Sequence, residues 1–156
     1  MTTMLSLADI PALAEKAEKL VAGAETCLLS TLDAEGYPVT RALLAPRFRK
    51  GLIHMEFTTN TSSMHVAEAR ANAKGSIYYY DAQLFQGLLL KGTLTVSTEQ
   101  ADRDRIWRQG DEIYYGGGQS DPDYAVMLFS ATRGRWYENF MKTDFMVLES
   151  DTHDIF

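Results

Sequence analysis

The chain has one cysteine, Cys27, among 156 residues, so an intrachain disulfide is excluded and a reducing compartment is expected. Cys27 sits in an apolar run and reads as a small buried hydrophobe. The three histidines, His54, His65 and His153, have no metal-ligand spacing, and no metal site is expected. No apolar run approaches the roughly 18 residues of a membrane span. The first twenty residues carry acids early and lack a charged segment leading into an apolar core, so they are not a signal peptide, and a cytoplasmic location is expected. Basic residues are in deficit: 15 Lys and Arg against 21 Asp and Glu give a formal charge of -6, and no nucleic-acid footprint follows. Local basic clusters can still bind a small anion: Arg41, Arg47, Arg49 and Lys50 lie within ten residues. No nucleophile–base pair, triad or paired-carboxylate pattern is visible, and no catalytic residue is assigned. No repeat or low-complexity linker divides residues 1–156, which read as one domain. What the chain does have is apolar material for a core, 46% hydrophobic with 11% aromatic.

Residues 7–23 read as an amphipathic helix. Ile10, Leu13, Ala14, Ala17, Leu20 and Val21 recur at three- and four-residue spacing, with Asp9 near the start and Gly23 at the stop. A barrel region then spans about 24–148, with a loose tail over 149–156. Its strand candidates are Thr26–Leu32, Val39–Phe48, Leu52–Thr58, Ser76–Tyr80, Leu84–Ser97, Val126–Ala131 and Arg133–Glu138, the last two around a tight corner. Asp33–Gly36 and Arg49–Gly51 are turns. One helix follows Ser63 to about Ala71. Another runs from an N-cap at Thr98 to about Gln109, with Trp107 in the core. The segment from Gly110 to Tyr124 is a long surface loop. Short strands without crossover helices make an α+β, mainly β fold: a closed or nearly closed antiparallel barrel of six to seven strands with flanking helices.

The densest chemistry lies at Thr58, Thr59, Asn60, Thr61, Ser62 and Ser63, between a strand and a helix. Such side chains accept hydrogen bonds from first-turn N–H groups. The free N–H groups and the positive helix end also favour an anion, whose shell the hydroxyls and His65 complete. A capped helix with water on its hydroxyls accounts for the same residues. The reciprocal capping form is absent, because Val66 stands three residues after Ser63.

The order of elements resembles the pyridoxamine 5'-phosphate oxidase-related family, the FMN-binding split barrels, including its smaller general-stress-protein-like members. Three signatures carry the likeness: Arg41-Ala42-Leu43-Leu44; Phe57 to Ser63 with the helix ending in Ala71-Asn72 before a Tyr-rich strand; and Trp107 followed by Tyr114-Tyr115-Gly116 and Asp121-Pro122-Asp123-Tyr124. The resemblance implies a split-barrel homodimer holding FMN between its subunits. It implies Arg41 near the phosphate, Leu43 and Leu44 packing at the flavin, and Thr58 and Thr59 at flavin and phosphate. Ser63 begins the motif that closes on the phosphate. Gln86 matches a flavin-side Gln across a one-residue gap, and Trp136 matches a Trp that reaches the flavin, in many members across the dimer. The implied function is FMN-dependent oxidation or reduction of a small substrate, with NADH, NADPH or another donor.

Two departures are visible. Met64 and His65 stand where the family commonly has Arg-Lys or x-Lys, so fixed cations are missing beside a near-dianionic phosphate. The Arg-x-His-x-Arg element of authentic pyridoxamine phosphate oxidases is absent, the corresponding stretch being Tyr137-Glu138-Asn139-Phe140-Met141-Lys142. The alternative is a protein of this fold that binds flavin, haem or a deazaflavin without turnover.

Overall fold

The computed structural model describes residues 4–151. The elements are β1 (Leu5–Ser6), α1 (Pro11–Gly23), β2 (Thr26–Leu32), β3 (Pro38–Leu44), β4 (Phe48–Lys50), β5 (His54–Asn60), α2 (Met64–Ala71), β6 (Lys74–Asp81), β7 (Gln86–Ser97), α3 (Gln100–Ile106), β8 (Tyr124–Glu138) and β9 (Met141–Met146). The expected helix over 7–23 is divided. Leu7–Asp9 forms a 3-10 turn closed by the Asp9 carboxylate, which accepts from the Ser6 N–H at 2.8 Å. Pro11 then opens α1, where its missing N–H costs no helical hydrogen bond.

The strands form one mixed sheet ordered β1-β9-β8-β7-β6-β2-β3, with β4 and β5 attached through β8. The β1–β9 pairing is parallel and the others are antiparallel. The mainly β, α+β class expected from the sequence holds; within it the sheet is mixed, through the short β1–β9 pair, and does not close into a barrel. The split arises along β8, whose first half pairs with β5 and whose second half pairs with β9.

β8 runs unbroken where two strands and a corner were expected. The bend is taken by a bulge in its pairing with β7 between Lys91 and Gly92. A Cβ at Gly92 would lie 1.9 Å from the Ser130 carbonyl oxygen, so only glycine fits. β9 was not foreseen; its inward residue Phe145 is fully buried. α3 begins after Glu99 rather than Thr98 and stops at Ile106. The Val39–Phe48 candidate ends at Leu44, before Pro46, and resumes as β4. Glu149–Asp151 forms a 3-10 turn, while the rest of the expected tail, with His153, lies outside the described residues.

Alternation along the strands sorts the two faces. Cys27, Leu29, Ile77, Tyr79, Leu88, Leu90, Trp136 and Phe145 point into one core with Met55, Phe57, Met127 and Phe129, covered by Ala17 and Val21 of α1. Burial pushes the Cys27 thiol up to about 11, which leaves it a packing residue. Gly92→Ala should destabilise by about 2–3 kcal/mol, because the neighbour is backbone. Gly23→Ala, with nothing within 4 Å of where its Cβ would sit, should stabilise by about 0.5–1 kcal/mol. Urea unfolding of the two variants checks both signs.

Candidate functional site

β5 carries Thr58 and Thr59 to the loop before α2, and the period of two sends them to opposite faces. Thr59 is buried and points inward, where its Oγ1 is 2.7 Å from His65 Nε2. Thr58 faces the Tyr115 hydroxyl in the layer formed by α3 and the following loop. That layer is held by Arg47 donating twice to Asp111, at 2.8 and 3.0 Å, and by Arg105 donating twice to the buried Glu56. Trp107, half-buried, packs against Tyr115 and Tyr124 in the same layer.

The hydroxyls of the loop are mostly occupied within the chain. Asp123 accepts from the Asn60 amide (2.9 Å), the Thr61 hydroxyl (2.8 Å), and the Ser62 N–H (2.8 Å) and hydroxyl (3.0 Å). These donors, the Asn60 amide first, hold the Asp123 carboxyl down at about 2. Ser63 is the N-cap of α2, yet its hydroxyl donates back to the Asn60 carbonyl at 2.7 Å rather than capping the helix. The N–H groups of Met64, His65 and Val66 are left without partners among the described residues. The middle of the cluster, Asn60, Thr61 and Ser62, is therefore a binding site for the chain's own Asp123, 61–63 residues away in sequence, while Thr58, Thr59 and Ser63 go to Tyr115, His65 and the Asn60 carbonyl.

Arg41 reaches the same region from β3. Its Nη1 donates to Thr31 Oγ1 at 2.6 Å, and its Nη2 lies 3.3 Å from Glu68 Oε2. Thr31 in turn donates to Glu68 Oε2 at 2.6 Å. Thr31 and Glu68 are both buried. β3, β2 and α2 are thus joined by one hydroxyl and one ion pair. His65 stands beside this group. Burial first, and the Arg41 charge second, hold its imidazole below the ordinary histidine value. Near neutral pH it adds a hydrogen-bonding group and no charge.

The structure therefore brings together Arg41, Thr59, Ser63 and His65, with Met64 72% exposed at the rim. Leu43 packs on the core, while Leu44 lies on the opposite face, 64% exposed. Gln86 and Trp136 gather elsewhere in the chain. Gln86 Nε2, Trp136 Nε1 and Lys16 Nζ all donate to Glu138. β8 is four strands from β3, about 19 Å along the sheet at about 4.8 Å per strand. Thr31, Glu68 and Asp123 were missed. For the first two a faint signal existed: Thr31 is a polar residue in the inward alternation with Cys27 and Leu29, and Glu68 stands one helical turn after His65. Two concavities, of about 480 and 590 Å³, lie beside α1, the second including Lys16, Lys19, Tyr80 and Gln86; neither includes Arg41 or His65.

The family described as pyridoxamine 5'-phosphate oxidase matches residues 13–137, most of the chain. The chain belongs to the pyridoxamine 5'-phosphate oxidase family. It is similar to a Clostridium acetobutylicum protein related to general stress protein 26, with 30% identity over 86% of this chain and 94% of that one, and a TM-score of 0.79. Two more distant solved structures share the fold. One is an FMN-binding protein from Nostoc punctiforme related to the oxidase, at 16% identity, covering 92% and 90% of the two chains, TM-score 0.62. The other is a haem-binding protein from Mycobacterium smegmatis, at 18% identity, covering 85% of this chain and 57% of that one, TM-score 0.67. No curated protein matches the sequence.

Against this family, the fit of FMN divides in two. The unpaired N–H groups at α2, the Ser63 and Thr59 hydroxyls and the half-buried Arg41 suit a polar or singly charged tail. A phosphate dianion is poorly matched, because Arg41 is already paired with a buried carboxylate and His65 is neutral. With its value depressed in the folded state, His65 contributes stability that is fully present above about pH 6.5 and is lost as pH falls through the lower folded value. An NMR titration of the His65 ring should give a midpoint below about 6.5, and a midpoint at or above that value contradicts the arrangement.

Proposed function

We propose that the protein is a flavoprotein, an FMN-dependent oxidoreductase of the pyridoxamine 5'-phosphate oxidase class acting on a small planar substrate. Membership of the family supports the flavin, and the convergence of Arg41, Thr59, Ser63 and His65 on the start of α2 supports the place of its polar tail. A bound flavin supplies the redox chemistry at its ring, and the protein supplies binding, orientation and exclusion of water. NADH, NADPH or another reductant serves as donor, and the protein works inside the cell. Oxidation of pyridoxamine 5'-phosphate itself is disfavoured, because Tyr137–Lys142 lacks the arginines and histidine that would hold the substrate phosphate.

A homodimer completes the site in this reading. The outward sheet face and two hairpin tips expose Leu28 (41%), Leu44 (64%), Tyr80 (51%), Phe85 (45%) and Phe140 (82%). Leu28 and Ala42 are register partners, as are Leu28 and Tyr78, so part of this apolar surface is contiguous across β3, β2 and β6. Against a second copy, the outward Leu44 and the distant Gln86 have a route to a shared cleft that one chain alone does not provide, while Trp136 stays in the core.

A second reading is a binder of flavin, haem or deazaflavin without turnover, favoured by the low cationic character left by Met64 and the neutral His65. Absorbance of the purified protein separates the two. Flavin bands in the blue and near ultraviolet, release of FMN on denaturation, and bleaching by NADH or NADPH with recovery on an added acceptor are expected. A Soret band, or bound flavin that no reductant bleaches, supports the binder. Colourless protein with no thermal shift on added flavin removes the leading reading.

A further inference from the structure

We propose that Glu68 sets the ligand charge accepted at the start of α2, cancelling Arg41 so that a phosphate on the flavin adds little to binding. The inference rests on the flavin reading above and concerns which flavin is preferred.

Three observations carry it. Glu68 is 8% exposed and its Oε2 accepts from both Thr31, at 2.6 Å, and Arg41, at 3.3 Å. The Thr31 hydroxyl also accepts from Arg41 at 2.6 Å, so the guanidinium is fixed by two contacts toward the interior. Turning it to a phosphate breaks those bonds and leaves a buried carboxylate without its cation, held by Thr31 alone, which costs more than losing an exposed pair would. Second, Met64 and His65 supply no replacement cation, since Met64 is neutral and burial disfavours a charged His65. Third, Asp123, just before β8, sets another carboxylate against the loop leading into the helix and takes up the hydroxyls of Thr61 and Ser62. A charge-assisted bond to phosphate is about twice as strong as a neutral one, and here the charge that would assist is consumed inside the fold. The ligand class that fits is a flavin with a neutral, hydroxyl-bearing tail, with the phosphorylated form bound about equally well.

The test is the ratio of dissociation constants for riboflavin and FMN, from quenching of flavin fluorescence, in the natural protein and in Glu68→Gln. Gln keeps the shape and an acceptor for Arg41 while removing the charge. The natural protein should show a ratio within about threefold of one, and Glu68→Gln should favour FMN by about tenfold or more. The gain should vanish in the double variant Glu68→Gln, Arg41→Gln. A natural preference for FMN above about tenfold, or a Glu68→Gln preference no larger than the natural one, overturns the proposal. If Glu68→Gln does not fold, the natural ratio alone decides by the same limits. If neither protein binds either flavin, the flavin reading fails, and inorganic phosphate decides the role of Glu68. Thermal stabilisation of Glu68→Gln but not of the natural protein upholds it, and equal responses overturn it.

Discussion

The ion pair between Arg41 and Glu68, bridged by Thr31, is the constraint on which the rest of the site depends. Charges withdrawn from water lose hydration that a single pairing seldom restores, so such a pair is rarely a large source of stability. Its effect here is positional. It ties β3, the last strand of the sheet with one free edge, to β2 and to α2, and so fixes where the helix begins relative to the strands. The placement of His65 follows, because one turn of helix separates it from Glu68. Thr59 and Ser63 then meet the His65 ring without needing a ligand to draw them together.

A second tie works across a longer span. Asp123 lies one residue before β8 and binds the loop between β5 and α2, while β5 pairs with the first half of β8. The strand register and the carboxylate therefore act in the same direction. The register brings Asn60 opposite Tyr124, and the neighbouring Asp123 then has no distance to travel. Loop and helix start are preformed by the sheet, a pattern in which preorganisation comes from secondary structure rather than from the ligand.

How much of this was readable before folding follows from distance along the chain. β2 was legible to the residue because alternation and β-branched content act locally. The continuous β8 was not, since the corner expected at Thr132 is absorbed by a bulge whose cause, Gly92, belongs to another strand. β9 was overlooked because Lys142 and Asp144 mask its single buried anchor, Phe145. In the candidate site, Arg41 was singled out through a family pattern, and Ser63 through that pattern and its place before a helix; their in-chain partners were not singled out. Glu68 looks like any solvated helix residue until β2 supplies Thr31. The hydroxyl cluster read either as a helix cap with water or as an anion site, and no local signal pointed to Asp123, which takes up Asn60, Thr61 and Ser62.

Long-range constraint of another kind marks the exposed hairpin tips. Phe85, Asn139 and Phe140 adopt positive φ, at 51°, 52° and 60°, each without the freedom of glycine. A left-handed residue with a side chain costs about 1 kcal/mol; at Asn139 and Phe140 the two-residue turn between β8 and β9 calls for it, and at Phe85 only the aromatic contacts of the tips stand against it among the described residues. The tips hold Phe85 and Phe140 with ring centroids 5.8 Å apart, and Phe85 edge-on to Tyr80 and Tyr137. An aromatic cluster that is strained into place yet left facing water gains little by itself. It gains considerably if another surface covers it, because the apolar area is then removed from water at no further cost in backbone order. The outward sheet face ends on that cluster, with Tyr137 the register partner of Gly87 and Tyr80 its partner on the other side. Strain at the tips and apolar surface on the sheet are thus two parts of one feature, and both fit the homodimer proposed above.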